Sequence, residues 1–263
     1  MLIDTHSHIF EEEFDIDRNA VIERAVQVGI ERIVLPAIER QSNERLFEAC
    51  RQYPDMVVPL MGLHPTSVND NPDWRSEVEE VERLLATPPM GIDRFYGVGE
   101  IGLDLYWSRD FRNEQEEALR MQLELAIRHN LPVSIHTREA WHEMIEIMSD
   151  YKHRGIRGVF HAFAGDMDIY RTLRSMGDFA FGVGGVITFK KNKLADVVRE
   201  IPLEDILLET DSPYLAPTPH RGKRNEPSYT ALICAEVAKV KGLEYDTVAE
   251  QTTRNAKRIF GIQ

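Results

Sequence analysis

His6 and His8 stand two residues apart near the start of the chain, and Glu100, His136, His161 and Asp211 follow at long intervals. Imidazole nitrogens and carboxylate oxygens are side-chain donors that hold divalent cations. On an extended segment side chains alternate with period two, so His6 and His8 point to the same side and can share one ion. Four histidines and two carboxylates exceed what one tetrahedral site requires, and a carboxylate can bridge two cations about 3.5–4 Å apart. The set therefore reads as a binuclear centre, with His6, His8 and Asp211 on one ion, His136 and His161 on the other, and Glu100 on both. Such ions acidify a water and stabilise charge on an ester or phosphate oxygen, which makes Glu100 and Asp211 the catalytic carboxylates. Asp211 is the expected proton acceptor.

Further residues fall into place around this set. Glu209 precedes Asp211 by two positions, so it faces the same way one layer deeper and is expected to orient a ligand histidine. His64 and Arg138 read as substrate-binding groups, the planar guanidinium of Arg138 being suited to a phosphate. Tyr214 and Trp107 carry rings able to stack on a base. The segment Gly97-Val98-Gly99-Glu100-Ile101-Gly102 spells G-x-G-x-x-G. A dinucleotide site would need a helix opening at those glycines and an acidic residue about 20 positions on. Here Leu103-Asp104-Leu105-Tyr106-Trp107 continues as strand and loop, and the glycines are read as permitting close packing around Glu100. Gly182-Val183-Gly184-Gly185 has the same reading.

For six donors scattered over about 200 positions to meet, the fold must bring strand ends together. Short apolar runs near 2–8, 32–38, 56–64, 95–103, 132–136, 158–163, 179–187 and 206–210 alternate with helical patterns. Trp141, Met144, Ile145 and Met148 recur at helical spacing, as do Leu119, Leu123, Ala126 and Ile127, and Asn130 with Pro132 marks a helix stop. The segments 226–241 and 245–260 read as further helices after the eighth run. This is the pattern of an α/β protein, a single TIM (β/α)8 barrel spanning 1–263 with extra C-terminal helices, in which reactive groups collect at the carboxyl ends of the strands. His6, Glu100, His136, His161 and Asp211 are each expected at such an end.

The 263 residues carry 31 Lys+Arg against 44 Asp+Glu, a net charge of −13, with 43% hydrophobic residues. That balance excludes a protein that coats nucleic acid through many phosphate contacts, though not one that grips a phosphate locally. With two divalent ions and the charges of Glu100 and Asp211, the inner site would be nominally +2, a local cationic trap on an acidic chain. Cys50 and Cys234 are too few for a disulfide framework, no apolar run approaches a membrane span, and the first residues lack a secretory pattern. A cytoplasmic setting, with no membrane and no obligate protein partner, is expected.

The stretches IDTHSH at 3–8, GLHP at 62–65, GVGEIGLD at 97–104, IHTR at 135–138, FHAF at 160–163, LLETDSPYL at 207–215 and RGKRNEP at 221–227 closely resemble the TatD-type metal-dependent deoxyribonucleases of the amidohydrolase-like superfamily. The resemblance runs over essentially the whole chain, and the six donors match that family's metal positions one by one. It implies a TIM barrel, dependence on divalent metal, with Mg²⁺ for activity, and hydrolysis of nucleic-acid phosphodiesters, while the mixed imidazole and carboxylate set would also accept Zn²⁺, Mn²⁺, Ni²⁺ or Fe²⁺. Exonuclease action from the 3′ end of single strands follows from the same resemblance, with the strand bound weakly and locally. The basic run His220-Arg221-Gly222-Lys223-Arg224, beyond the eighth strand, then reads as a phosphate contact through Arg221 and Arg224. Two rivals use the same residues: hydrolysis of an ester or amide, such as the aminoacyl ester of a tRNA, and metal-dependent nucleic-acid binding without catalysis.

Overall fold

The computed structural model describes residues 1–191 and 193–263. The apolar runs form eight strands among the described residues: β1 Leu2–Asp4, β2 Ile30–Pro36, β3 Val57–Leu60, β4 Val98–Asp104, β5 Val133–Arg138, β6 Arg157–Phe160, β7 Asp178–Val183 and β8 Ile206–Leu208. Neighbours pair in parallel in the orders β1-β2-β3 and β4-β5-β6-β7-β8. Backbone hydrogen bonds close both gaps. Met61 N donates to Gly97 O (3.2 Å) and Gly99 N to Met61 O (3.1 Å), joining the end of β3 to β4. Thr5 N donates to Leu208 O (3.0 Å), Asp211 N to His6 O (2.9 Å) and His8 N to Ser212 O (2.7 Å), joining the continuations of β1 and β8. The ring is an eight-stranded TIM barrel.

Nine helices among the described residues follow the strands: α1 Arg18–Gln27, α2 Asn43–Gln52, α3 Trp74–Ala86, α4 Arg112–His129, α5 Trp141–Asp150, α6 Met167–Arg174, α7 Leu194–Glu200, α8 Thr230–Lys241 and α9 Tyr245–Phe260. The period-two alternation of the strands sorts their side chains into two cores. Ile33, Leu35, Phe160, Phe179, Phe181, Ile206 and Leu208 point outward into the layer shared with the helices. Val34, Val159, Ala180 and Leu207 point into the barrel, where Ala256, Ile259 and Phe260 of α9 meet them. The last helix therefore plugs the barrel interior, and each of its buried large side chains contributes about 1.5–3 kcal/mol by leaving water. α4 ends where Asn130 turns left-handed, at φ 52°. No described helix is long and apolar enough to cross a membrane.

Three strand ends differ from expectation in ways that matter for the site. β1 stops at Asp4 and β8 at Leu208, yet His6, His8 and Asp211 are still held at the barrel mouth because the two continuations bond to each other across the seam, the backbone turning left-handed at Asp211, φ 57°. Glu100 does not end β4; it is the third residue of a strand that runs on to Asp104. The strand extends because β5 pairs with it as far as Asp104 and Arg138. That pairing is tight at Gly102, at φ +147°, where a Cβ would fall 2.0 Å from His136 O. A side chain there would push apart the two strands that carry Glu100 and His136.

Candidate metal centre

Glu100 is 2% exposed and stands inside the mouth of the barrel. Its two oxygens face different partners. Oε2 lies 3.0 Å from His6 Nε2 and 3.5 Å from His8 Nε2. Oε1 lies 2.9 Å from His161 Nε2, 3.1 Å from His136 Nδ1 and 3.4 Å from His64 Nε2. Asp211 Oδ1 stands 3.9 Å and 3.7 Å from the Nε2 atoms of His6 and His8, on the Oε2 side. The structure thus brings together all six residues selected as donors around Glu100, with His161 also within reach of His6 and Asp211. The halves touch where the His6 and His161 rings stack, 3.7 Å between centroids.

The donor set fits cations. His6 Nε2 and His8 Nε2 face each other at 3.2 Å, and His136 Nδ1 and His161 Nε2 at 3.3 Å. Five imidazoles converge on one buried carboxylate, more nitrogens than its roughly four lone-pair sites can accept. Such an arrangement is costly in a dry site unless positive charge sits between the donors. Three groups have ligand atoms all within 4.8 Å of one another: His6, His8 and Glu100; His6, His161 and Asp211; His64, Glu100 and His136. His64, expected to meet substrate, is placed within the donor cluster.

The electrostatics follow from burial among like and unlike charges. Burial opposes the charge of Glu100, yet His161, His6 and His64 around it hold its carboxyl well below the usual range. Burial and the neighbouring His161 hold His6 well below an ordinary histidine. Burial works against a charge on His161 too, but Glu100 and Glu209 outweigh it and raise this ring well above the ordinary value. Asp211 is pushed up to about 6 by burial.

Supporting residues fix these rings. Glu209 Oε1 accepts the amide of Ala162 and lies 3.5 Å from His161 Nδ1, close enough for its charge to act on that ring. Asp104 was not singled out from the sequence. It is buried at the end of β4, with Oδ2 3.0 Å from His136 Nε2 and Oδ1 accepting the amide of Tyr106 at 3.1 Å. Its parity was the available signal: four positions beyond Glu100 on one strand, it faces the same interior.

The substrate candidates are distributed around the rim. Arg138 lies over the ring of Tyr106, 3.7 Å from its centroid, and Arg221 over Phe189 at 3.6 Å. Tyr214 is half exposed, its ring 6.4 Å from that of His8. Arg224 is instead engaged by the fold: it holds both oxygens of Asp17 at 2.8 and 2.7 Å, and its guanidinium covers Phe14. It ties the loop after β8 to the start of α1.

A family model described as TatD related DNase matches residues 3–261. The chain belongs to the TatD family. It is 36% identical over 267 residues to the metal-dependent hydrolase YabD of Bacillus subtilis, with all of both chains covered. It is 31% identical to the deoxyribonuclease TATDN3 of Homo sapiens, over 98% of this chain and 94% of the human one. The crystal structure of YjjV, the TatD homologue of Escherichia coli K12, superposes with a TM-score of 0.90 at 29% identity, covering 100% of this chain and 98% of that one. This TatD-family protein is accordingly a metal-dependent hydrolase.

Proposed function

We propose that this TatD-family hydrolase cleaves phosphodiester bonds at the end of single-stranded nucleic acid, removing nucleotides from the 3′ end of DNA. The observation that carries the reading is the division of Glu100: one oxygen belongs to His6 and His8, the other to His136 and His161. His6, His8 and Asp211 would hold one divalent cation, His136 and His161 the second, with Glu100 shared and His64 beside the second. Two such ions, Mg²⁺ in the active enzyme, supply Lewis acidity toward a phosphate and lower the pKa of water. Asp104 and Glu209 hold the rings of His136 and His161 in place. Asp211, whose Oδ1 faces His6 and His8 at the mouth of the site, would take the proton of the attacking water. Arg138 and Arg221 offer planar guanidinium forks to the phosphates of the strand.

Support for a nucleic-acid substrate comes from the relatives named deoxyribonuclease and from cationic groups at the rim of an otherwise acidic chain. Few rim cations suit weak, local binding of a few nucleotides. The test is a time course on end-labelled single-stranded DNA, with chelator-stripped protein resupplied with Mg²⁺ or Mn²⁺ and a Glu100→Ala control. Stepwise loss from the 3′ end by the wild type alone is the expected result. Release of free amino acid from aminoacyl-tRNA, with DNA left intact, would replace this reading by ester hydrolysis.

A further inference from the structure

Between β4 and α4 the chain exposes two aromatic rings in succession: Tyr106 is 54% and Trp107 69% exposed. Their rings meet edge to face, 5.0 Å between centroids at 86°. Tyr106 also carries the guanidinium of Arg138 on its face, so the exposed surface of Trp107 is the part of this pair left open. The rings rest on a rigid base. Leu105 is buried and donates its amide to Arg138 O at 3.0 Å, and Tyr106 N donates to Asp104 Oδ1 at 3.1 Å. The other oxygen of that carboxylate holds His136, so two residues of chain separate Tyr106, and three residues, at most about 11 Å, separate Trp107, from the metal centre's own support.

The charge beside the rings is equally specific. Neighbouring arginines are matched with carboxylates, Arg109 with Glu143 and Arg112 with Glu116. Among the described residues the Arg138 guanidinium forms no salt bridge; it lies over Tyr106 and, at 5.6 Å, Trp107, close enough to Asp104 for its charge to favour that carboxylate. Beyond Trp107 the surface turns polar, through Ser108, Arg109 and Asp110. A single open indole flanked by one guanidinium that no salt bridge occupies matches an occupant with one flat ring and one anionic group, too small a surface for a protein interface.

We infer that Trp107 is the stacking ledge for the unpaired nucleobase at the strand end being processed, with Arg138, held flat by Tyr106, on the phosphate of the same nucleotide. This rests on the nucleic-acid reading above and adds to it that recognition is of the base as well as the backbone. Stacking of this kind tolerates every base, since each has a π-face.

The test is binding, with cleavage followed separately. A thymidine trimer with phosphorothioate linkages is titrated into metal-loaded enzyme, following tryptophan fluorescence; Trp74 is buried and Trp141 partly covered, so Trp107 reports contact. Quenching is expected in the wild type and absent in Trp107→Phe. By competition, Trp107→Ala weakens the trimer about tenfold while Trp107→Phe retains most of the affinity. A trimer whose terminal nucleoside is replaced by an abasic tetrahydrofuran binds the wild type as poorly as the intact trimer binds Trp107→Ala. Equal affinity of Trp107→Ala and wild type, with DNA cleavage intact, overturns the ledge and leaves the nuclease reading standing. Quenching and base-dependent affinity without cleavage of any strand establish the ledge and remove the nuclease reading.

Discussion

Asp104 Oδ2 sits 3.0 Å from His136 Nε2, while Glu100 Oε1 sits 3.1 Å from Nδ1 of the same ring. One imidazole thus spans two buried carboxylates. Burial disfavours the charge of Asp104, but the hydrogen bond with His136 holds its carboxyl below the ordinary range. As an anion it accepts the Nε2 proton and leaves the Nδ1 lone pair turned toward Glu100 and a cation.

Replacing Asp104 with Ala should therefore weaken metal binding without removing any direct donor. A loss of about 10–100-fold in affinity is expected for such an outer partner. Calorimetric titration of stripped protein with Mn²⁺ measures it, and an affinity equal to wild type would show that His136 needs no such support.

Glu100 is the group both halves share, so its removal should affect both at once. In Glu100→Ala we expect metal content, read by elemental analysis after dialysis against trace metal, to fall at both positions rather than one. Turnover should drop by about a thousandfold, since metal stabilisation of a developing oxyanion is worth several kcal/mol. Retention of one full equivalent of metal would assign Glu100 to a single ion.

Much of this was legible in the sequence because it depended on parity and order. Alternation along extended segments put His6 and His8 on one side, and strand–helix alternation implied the barrel that brings the donors together. The regular strand assumed from Glu209 to Asp211 is broken, since β8 ends at Leu208 and Asp211 turns left-handed. Strand lengths were less legible, because hydrogen bonding between the continuations of β1 and β8, remote in sequence, decides what the chain does after Asp4 and Leu208. The role of Arg224 was hidden for the same reason: its partner Asp17 lies 207 positions away. His64 reads from the sequence as a substrate-binding group, and only the three-dimensional approach to Glu100 Oε1 places it in the cluster.

Gly182 gives a packing test of the support for His161. A Cβ at this position would come within 2.1 Å of Glu209 Oε2 and 2.5 Å of its Cδ. Glu209 is fully buried and bonded to the amide of Ala162, so it has no open space to retreat into. Gly182→Ala should destabilise the fold by about 1–3 kcal/mol, as overpacking does. Urea denaturation reads this change. An unchanged midpoint would mean that Glu209 yields without cost, and would weaken its assignment as the anchor of His161.

Metal should stabilise the folded protein, because the donors are assembled only in the barrel. At a free concentration of about 100 times Kd, one site adds about 2.7 kcal/mol. In a chain of this size that corresponds to a rise in Tm of roughly 5–10 °C. The gain must shrink as pH falls. Ligand histidines bind metal only when deprotonated, and His161 is held above the ordinary histidine range by Glu100 and Glu209 despite its burial. Protons therefore compete with metal from a higher pH than at a free imidazole, and the stabilisation is fullest on the alkaline side. Thermal melts with and without Mn²⁺, across pH and in parallel with Glu100→Ala, measure both effects. A metal-dependent shift of the same size in the variant would place the stabilising ion outside this cluster.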